Sequence, residues 1–184
     1  MACGTIRDAL GMEVIRMAKL EQAHQEHIFK PIYNNDSRIL ILGTFPSVKS
    51  RENQFYYGHP QNRFWKVLAA IFESEPLTTI EEKKAFLLQH RIAIWDVIAS
   101  CDITGSSDSS IRNVIPTDLR VILKEADIAA IYANGATAAK LFHKYQESII
   151  QRNIICLPST SPANAGYSLE RLIGSWKVCK DFCP

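Results

Sequence analysis

The chain has 184 residues, 47% hydrophobic and 22% charged, which suits one globular domain with a full core, leaves little room for two, and excludes disorder over most of its length. A formal net charge of +2 and a pI near 8.3 permit a polyanionic partner but exclude a protein that relies on charge alone to hold one. No run reaches the roughly 18 apolar residues of a membrane span, and the N-terminus lacks the basic, apolar and small-residue order of a secretory signal, so a soluble, cytoplasmic protein with no membrane partner is expected.

In chain order, residues 1 to about 28 read as one or two helices, because Ile6, Leu10, Val14, Met17 and Leu20 recur at helical spacing. This gives an N-terminal helical extension over residues 1–30, followed by the principal domain, 31–184. From Arg38 the pattern changes to short apolar runs alternating with amphipathic segments. The runs Ile39–Leu42, Ile92–Ile98, Ile128–Tyr132 and Ile154–Leu157 are continuous in apolar character, as expected of strands covered on both faces. Helices are expected over Pro60–Phe72, Thr79–His90, Thr117–Ala126, Gly135–Tyr145 and Ser168–Phe182, with start signals at Pro60, at Thr79 ahead of Glu82, and at Ser168. The alternation implies an α/β protein, a three-layer α/β/α sandwich around a mainly parallel four-stranded sheet.

In such folds ligands gather at the carboxyl ends of the strands, which places the segments 43–50, 96–110, 134–135 and 159–166 on one rim. The first joins the turn Gly43-Thr44-Phe45-Pro46-Ser47 to the rings Phe55-Tyr56-Tyr57, flat faces suited to a planar ligand. The second carries Asp96, a carboxylate inside an apolar strand that must find partners or stay unionised. Its other polar residues, up to Ser110, are either solvated filler or part of a site. Five scattered cysteines (Cys3, Cys101, Cys156, Cys179, Cys183) argue against a disulfide framework. Cys179 and Cys183 lack a second ligand pair, so no metal is expected.

Three blocks carry a resemblance: Gly43-Thr44-Phe45-Pro46-Ser47, then Phe55 through Trp65 (Phe-Tyr-Tyr-Gly-His-Pro-Gln-Asn-Arg-Phe-Trp), and Leu157-Pro158-Ser159-Thr160-Ser161-Pro162-Ala163-Asn164. Through them the chain resembles the uracil-DNA glycosylase superfamily, and within it the hypoxanthine-DNA (deoxyinosine) glycosylase branch, from about Arg38 to Trp176. The resemblance implies a monomeric, monofunctional enzyme without cofactor that flips a damaged base out of DNA and hydrolyses its N-glycosidic bond. In the wider superfamily the third residue of the first block is polar and positions the water, and the first residue of the last block stabilises the departing base. Here these positions are Phe45 and Leu157. Both departures speak against ordinary uracil excision and fit the deoxyinosine branch.

The polar chemistry is then expected from Asn62, as the group that positions water or donates to the base, and from Asp96, as the acceptor for the N1 hydrogen of hypoxanthine or, if protonated, a donor to the base. Gly43, Thr44, Phe45, Tyr57 and His59 are expected around the base, with Tyr57 stacking on it. Ser47, Ser50, Ser159, Thr160, Ser161 and Asn164 are expected to contact DNA, the last four on a loop stiffened by Pro158 and Pro162. Each has a structural alternative: a helix-end bond for Asn62 and His59, core packing for Tyr57, a turn for the serines. Three other functions compete. Excision of uracil or mismatched thymine and damage sensing without catalysis would use the same fold. A small-molecule hydrolase or nucleotide-binding protein would use a similar sheet, but no phosphate-binding glycine motif follows a strand.

Overall fold

The computed structural model describes residues 22–182, in which β1 (Ala23–Glu26) and β2 (Ile39–Gly43) are followed by α1 (Val48–Glu52), α2 (Phe64–Ile71) and α3 (Ile80–Gln89). Then come β3 (Ile92–Asp96), β4 (Ile98–Ile103), β5 (Arg112–Pro116), α4 (Arg120–Leu123) and β6 (Ala130–Asn134). The chain closes with α5 (Ala136–Tyr145), α6 (Glu147–Ile150), β7 (Ile155–Leu157), α7 (Leu169–Trp176) and a 3₁₀ turn over Lys177–Phe182. Among the described residues, no helix is long and apolar enough to cross a membrane.

The central sheet has the order β3-β2-β6-β7, and all its pairings are parallel. Its middle strand shows why the apolar runs are continuous. Alternate side chains point to opposite faces, and Ile39 and Ile41 enter one core while Leu40 and Leu42 enter another, all fully buried. The first core is closed by Phe64, Trp65 and Leu68 of α2, Phe86 and Leu87 of α3, and Leu172 and Trp176 of α7; the second is closed by Ile122 of α4 and Phe142 of α5. The layered α/β/α arrangement expected from the sequence is present.

Several boundaries move. The run Ile92–Ile98 is two strands: Val97 ends the parallel pairing by donating to Gly43 O, and β4 leaves for a second sheet, antiparallel, of order β1-β4-β5. The α2 helix starts at Phe64, not Pro60, because residues 59–62 form a turn closed by the Asn62 N–H on His59 O. Thr117–Ala126 contains one helical turn, and the last helix tightens to 3₁₀ after Trp176. The Thr79 start signal holds as a reciprocal capping box with Glu82. The helical reading of residues 1 to about 28 falls outside the described residues up to position 21, and at its end it is replaced by strand β1.

Candidate active site

Parallel strands end together, so Gly43 (β2), Asp96 (β3), Asn134 (β6) and Leu157 (β7) share one rim, with Gly43 opposite Asp96 and Asn134 opposite Leu157 in register. Above it opens a cavity of about 590 Å³. All four expected loops line it: residues 43–47 with Ser50, Asp96 with residues 106–109, Asn134, and Ser159 with residues 161–163. The aromatic block contributes Tyr56, Tyr57, His59 and Asn62.

Gly43 has a steric reason to be glycine. A Cβ there would lie 2.1 Å from Asp96 Oδ1 and 3.2 Å from the Tyr57 hydroxyl. The Asp96 carboxylate therefore rests on a bare Cα. Its side chain is 5% exposed, and Oδ2 is bonded to His27 Nε2 at 2.8 Å. The backbone of Asp96 is fixed as well, since Thr117 Oγ1 donates to its carbonyl at 2.8 Å.

Tyr57 presents a ring with one face covered and the ring lining the cavity: it stacks on Phe64 with centroids 3.7 Å apart and planes at 23°. Its backbone lies in the left-handed region (φ +53°), a conformation that costs a non-glycine residue about 1 kcal/mol or more. The hydroxyl is buried beside the Asn134 side chain. Burial, and then the Asp96 charge, hold its pKa well above the usual phenol value.

Asn62 stands two residues ahead of α2. Its Oδ1 accepts from the Phe64 N–H at 3.0 Å and from the Thr160 hydroxyl at 2.9 Å. The backbone donor at Phe64 fixes the amide's orientation, leaving Nδ2 as the group without a partner among the described residues. The structural alternative, a helix-end bond, is thus present together with placement at the cavity. His59 Nδ1 similarly accepts from the Gln61 N–H at 3.2 Å while the residue lines the cavity.

The loop after β7 is ordered before any ligand arrives. Asn134 donates to the Thr160 hydroxyl and accepts from the Thr160 N–H, both at 2.9 Å. The Arg63 guanidinium donates to the carbonyls of Thr160, Ser161, Asn164 and Tyr167. Asn164 Nδ2 closes the loop on Ser159 O at 2.9 Å. Ser47, Ser159, Ser161 and Asn164 keep partial exposure, whereas two of the residues expected to touch DNA do not face outward. Thr160 is fully buried, because its N–H and hydroxyl latch the loop to Asn134 and Asn62. Ser50 is 3% exposed, and its hydroxyl accepts from the Gly58 N–H at 3.0 Å. Thr44, also buried, contributes to the cavity wall.

Phe45 lines the cavity, with Arg51 over its ring at 5.7 Å, while Leu157 is buried in the core. Sequence reasoning missed two acidic or basic groups. His27 lies in the segment read as helix, and no local signal marks it. Asp108, within the polar stretch 96–110, stands at the cavity wall within 3.4 Å of Thr44 Oγ1. It retains solvent contact, yet the surrounding protein desolvates it enough to raise its carboxyl above the ordinary range, opposed by bonds from Thr44 and Thr137.

A parallel sheet with an aromatic-walled cavity at its carboxyl rim, two carboxylates and an oriented amide defines a protein that holds a planar polar ligand. Comparison with known proteins makes this specific. Residues 30–181 match the uracil DNA glycosylase superfamily, and the chain belongs to that family. It is 34% identical over 146 residues to a hypoxanthine DNA glycosylase of Methanosarcina acetivorans, covering 78% of this chain and 90% of that protein. A hypoxanthine DNA glycosylase of Methanosarcina barkeri is 34% identical over 87 residues, 46% of this chain and 54% of the other. The solution NMR structure of a candidate uracil DNA glycosylase from Methanosarcina acetivorans superposes with a TM-score of 0.71 at 26% identity, covering 86% of this chain and 99% of that one.

Proposed function

We propose that this protein is a DNA glycosylase that flips a deaminated base, hypoxanthine by preference, into the cavity and hydrolyses its N-glycosidic bond to leave an abasic site. The observation that carries the reading is the convergence of Tyr57, Asn62 and Asp96 on one cavity while the superfamily's usual polar positions are filled by Phe45 and Leu157. The relatives named as hypoxanthine DNA glycosylases support it.

Flipping costs a few kcal/mol of stacking and pairing, least for a mispaired base, and stacking on Tyr57 returns roughly 1–3 kcal/mol. With Oδ2 held by His27, Asp96 has Oδ1 to accept the N1 hydrogen of hypoxanthine, a hydrogen adenine lacks. As the bond from C1′ to the purine nitrogen breaks, its electron pair goes to the base. Asn62 Nδ2 is the donor positioned to meet that charge, since Oδ1 is already occupied. Water adds to C1′, Asp108 on the same wall accepts the proton it releases, and that proton passes on through solvent to the base anion, so that the hydrogens of one water end on the C1′ hydroxyl and the free base. The DNA contacts in this reading come from Ser47, Ser159 and Ser161, which line the cavity, and from Asn164, which braces the Ser159 loop, all on loops ordered in advance.

The test is single-turnover cleavage of end-labelled duplexes, each with one deoxyinosine, deoxyuridine or mispaired thymidine, followed by alkali. Strand breaks confined to deoxyinosine are expected. Excision of uracil or thymine instead would reassign the substrate. No cleavage with tight lesion binding retained would favour a damage sensor, the reading that Phe45 and Leu157 support.

A further inference from the structure

Asp96 is held by a residue from outside the region that matches the superfamily. Strand β1 pairs with β4, the His27 N–H donates to Ala99 O at 2.7 Å, and Ile32 exchanges backbone bonds with Ile94 at 3.1 and 3.0 Å. These anchors lay residues 27–32 along the outer edges of β3 and β4 and bring the His27 ring against Asp96, behind the cavity wall that Asp96 lines. Its side chain is 4% exposed, enclosed by Phe29, Phe45 and Tyr56 with ring centroids 4.6, 6.2 and 5.9 Å away. Within this aromatic enclosure, Asp96 Oδ2 at 2.8 Å is its polar partner.

The ring's second nitrogen indicates which proton arrangement the site favours. Nδ1 is buried and has no hydrogen-bond partner among the described residues. A doubly protonated ring would leave an N–H there without an acceptor, the rarer and costlier kind of orphan. A neutral ring with its proton on Nε2 leaves only a lone pair at Nδ1 and donates to the carboxylate. Enclosing such a pair is poor evidence for stability, since an apolar pair of similar volume would serve a core equally well. Its position at the ligand-binding rim gives it a different purpose.

We propose that His27 is a positioning residue: neutral, with Nε2–H donating to Asp96 Oδ2, it holds the carboxylate over the Gly43 Cα so that Oδ1 meets the edge of the flipped base. This rests on the reading of Asp96 as the base-edge acceptor. A short edge segment preceding the matched region thereby completes the site.

Single-turnover excision of deoxyinosine at saturating enzyme, with lesion-duplex Kd and thermal unfolding measured in parallel, tests it for wild type, H27A, H27L, H27Q, D96A and H27A/D96A. A carboxylate freed to shift by about 1 Å is expected to slow excision about 10- to 100-fold in H27A and H27L, with Kd changed only a few-fold. H27Q, whose amide can replace the Nε2 donor, is expected to recover at least tenfold of a hundredfold loss. The double variant is expected to be no slower than D96A, because His27 acts through Asp96. If H27A does not fold, H27L and H27Q decide. Wild-type rates in H27A or H27L with a slow D96A overturn the inference and leave the reading of Asp96 intact; a wild-type rate in D96A overturns that reading itself. Equal losses in H27L and H27Q, tracking their melting temperatures, would show that His27 only packs.

Discussion

Gly43→Ala tests the site with a single carbon atom. The added Cβ would sit 2.1 Å from Asp96 Oδ1, and an ordinary carbon–oxygen contact is about 3.3 Å, so roughly 1.2 Å of separation must be found. The backbones cannot supply it easily, because Gly43 and Asp96 are the last register pair of the parallel pairing of β2 and β3, and Val97 N–H fastens that end to Gly43 O at 2.9 Å. The carboxylate must move instead, and moving stretches its 2.8 Å bond to His27. Overpacking of this kind costs about 1–3 kcal/mol, and weakening a hydrogen bond to a charged group a further 1.5–3 kcal/mol at most. Against a typical domain stability of about 5–15 kcal/mol the variant still folds, with its urea midpoint lowered. Its excision rate should fall about 100-fold, the usual consequence of a 1 Å misplacement at a reacting centre. Single-turnover cleavage of a deoxyinosine duplex, with urea unfolding in parallel, reads both quantities. A variant that retains the wild-type rate would refute the role given to the carboxylate's position.

Asn62→Ala removes both the cap on the Phe64 N–H and the free donor, whereas Asn62→Asp retains an acceptor for Phe64 N–H and replaces the donor with a negatively charged oxygen. Both are expected to slow excision about 10²- to 10³-fold, and near-normal turnover in Asn62→Asp would show that the cap was its whole role. Tyr57→Phe removes only a buried hydroxyl beside Asn134, keeps the stacking face, and should leave lesion binding within a few-fold of wild type. Tyr57→Ala removes the stacking face and should weaken lesion binding by about 1–3 kcal/mol in a fluorescence titration; equal affinities for the two variants would mean that the ring does not stack on the base. Glu82 lies far from the site, and bonds from Thr79 and Thr78 hold its carboxyl down to about 2, against 4.5 when unperturbed. A depressed carboxylate stabilises the fold fully above its unfolded value, and the contribution is lost as pH falls through about 2. Urea midpoints for Glu82→Gln should therefore decline less steeply than those of wild type between pH 5 and 2.5, with excision at neutral pH unchanged.

How much of this was legible in the sequence follows the physics of each signal. The strands β2 and β6 announced themselves because burial on both faces demands unbroken apolar runs, β7 because its residues are apolar although Ile155 and Cys156 are exposed, and the Thr79 and Ser168 starts because capping is a local bargain between neighbours. The break at Val97 was invisible, since Ile98, Cys101 and Ile103 are as apolar as the strand before them and only tertiary pairing sends them to another sheet. Strand β1 is Ala-His-Gln-Glu, four residues with no strand character, whose pairing comes entirely from the edge that β4 offers. His27 was missed for that reason. Asn62, Asp96 and Tyr57 were legible because the glycine, the aromatic block and an acid ending an apolar strand each break a local rule. Thr160 was misjudged because a Ser/Pro-rich loop reads as surface, while its buried latch to Asn134 depends on residues 26 positions away.

Those local violations also explain the rest of the architecture. A carboxylate 5% exposed, a buried tyrosine hydroxyl and a left-handed backbone at that same tyrosine are each unfavourable, and they occur together around one cavity. Such a cluster persists only if its surroundings over-determine it. The surroundings here are fastened unusually often: Arg63 clamps four carbonyls, Asn134 and Asn62 hold Thr160 between them, and Ser50 ties α1 to Gly58. Asn62 apart, none of these fasteners needs to touch a base, yet each fixes a residue or loop that lines the cavity. The substitutions Phe45 and Leu157 fit the same logic. With the first two polar positions of the superfamily made apolar, the remaining polar groups work in a drier site, where a misplaced donor is costlier and a well-placed one is worth more. On the roles proposed for Asn62, Asp96 and Asp108, the site depends on rigid support for them, and His27, in the segment that follows β1 and precedes the superfamily match, adds to that support through its bond to Asp96.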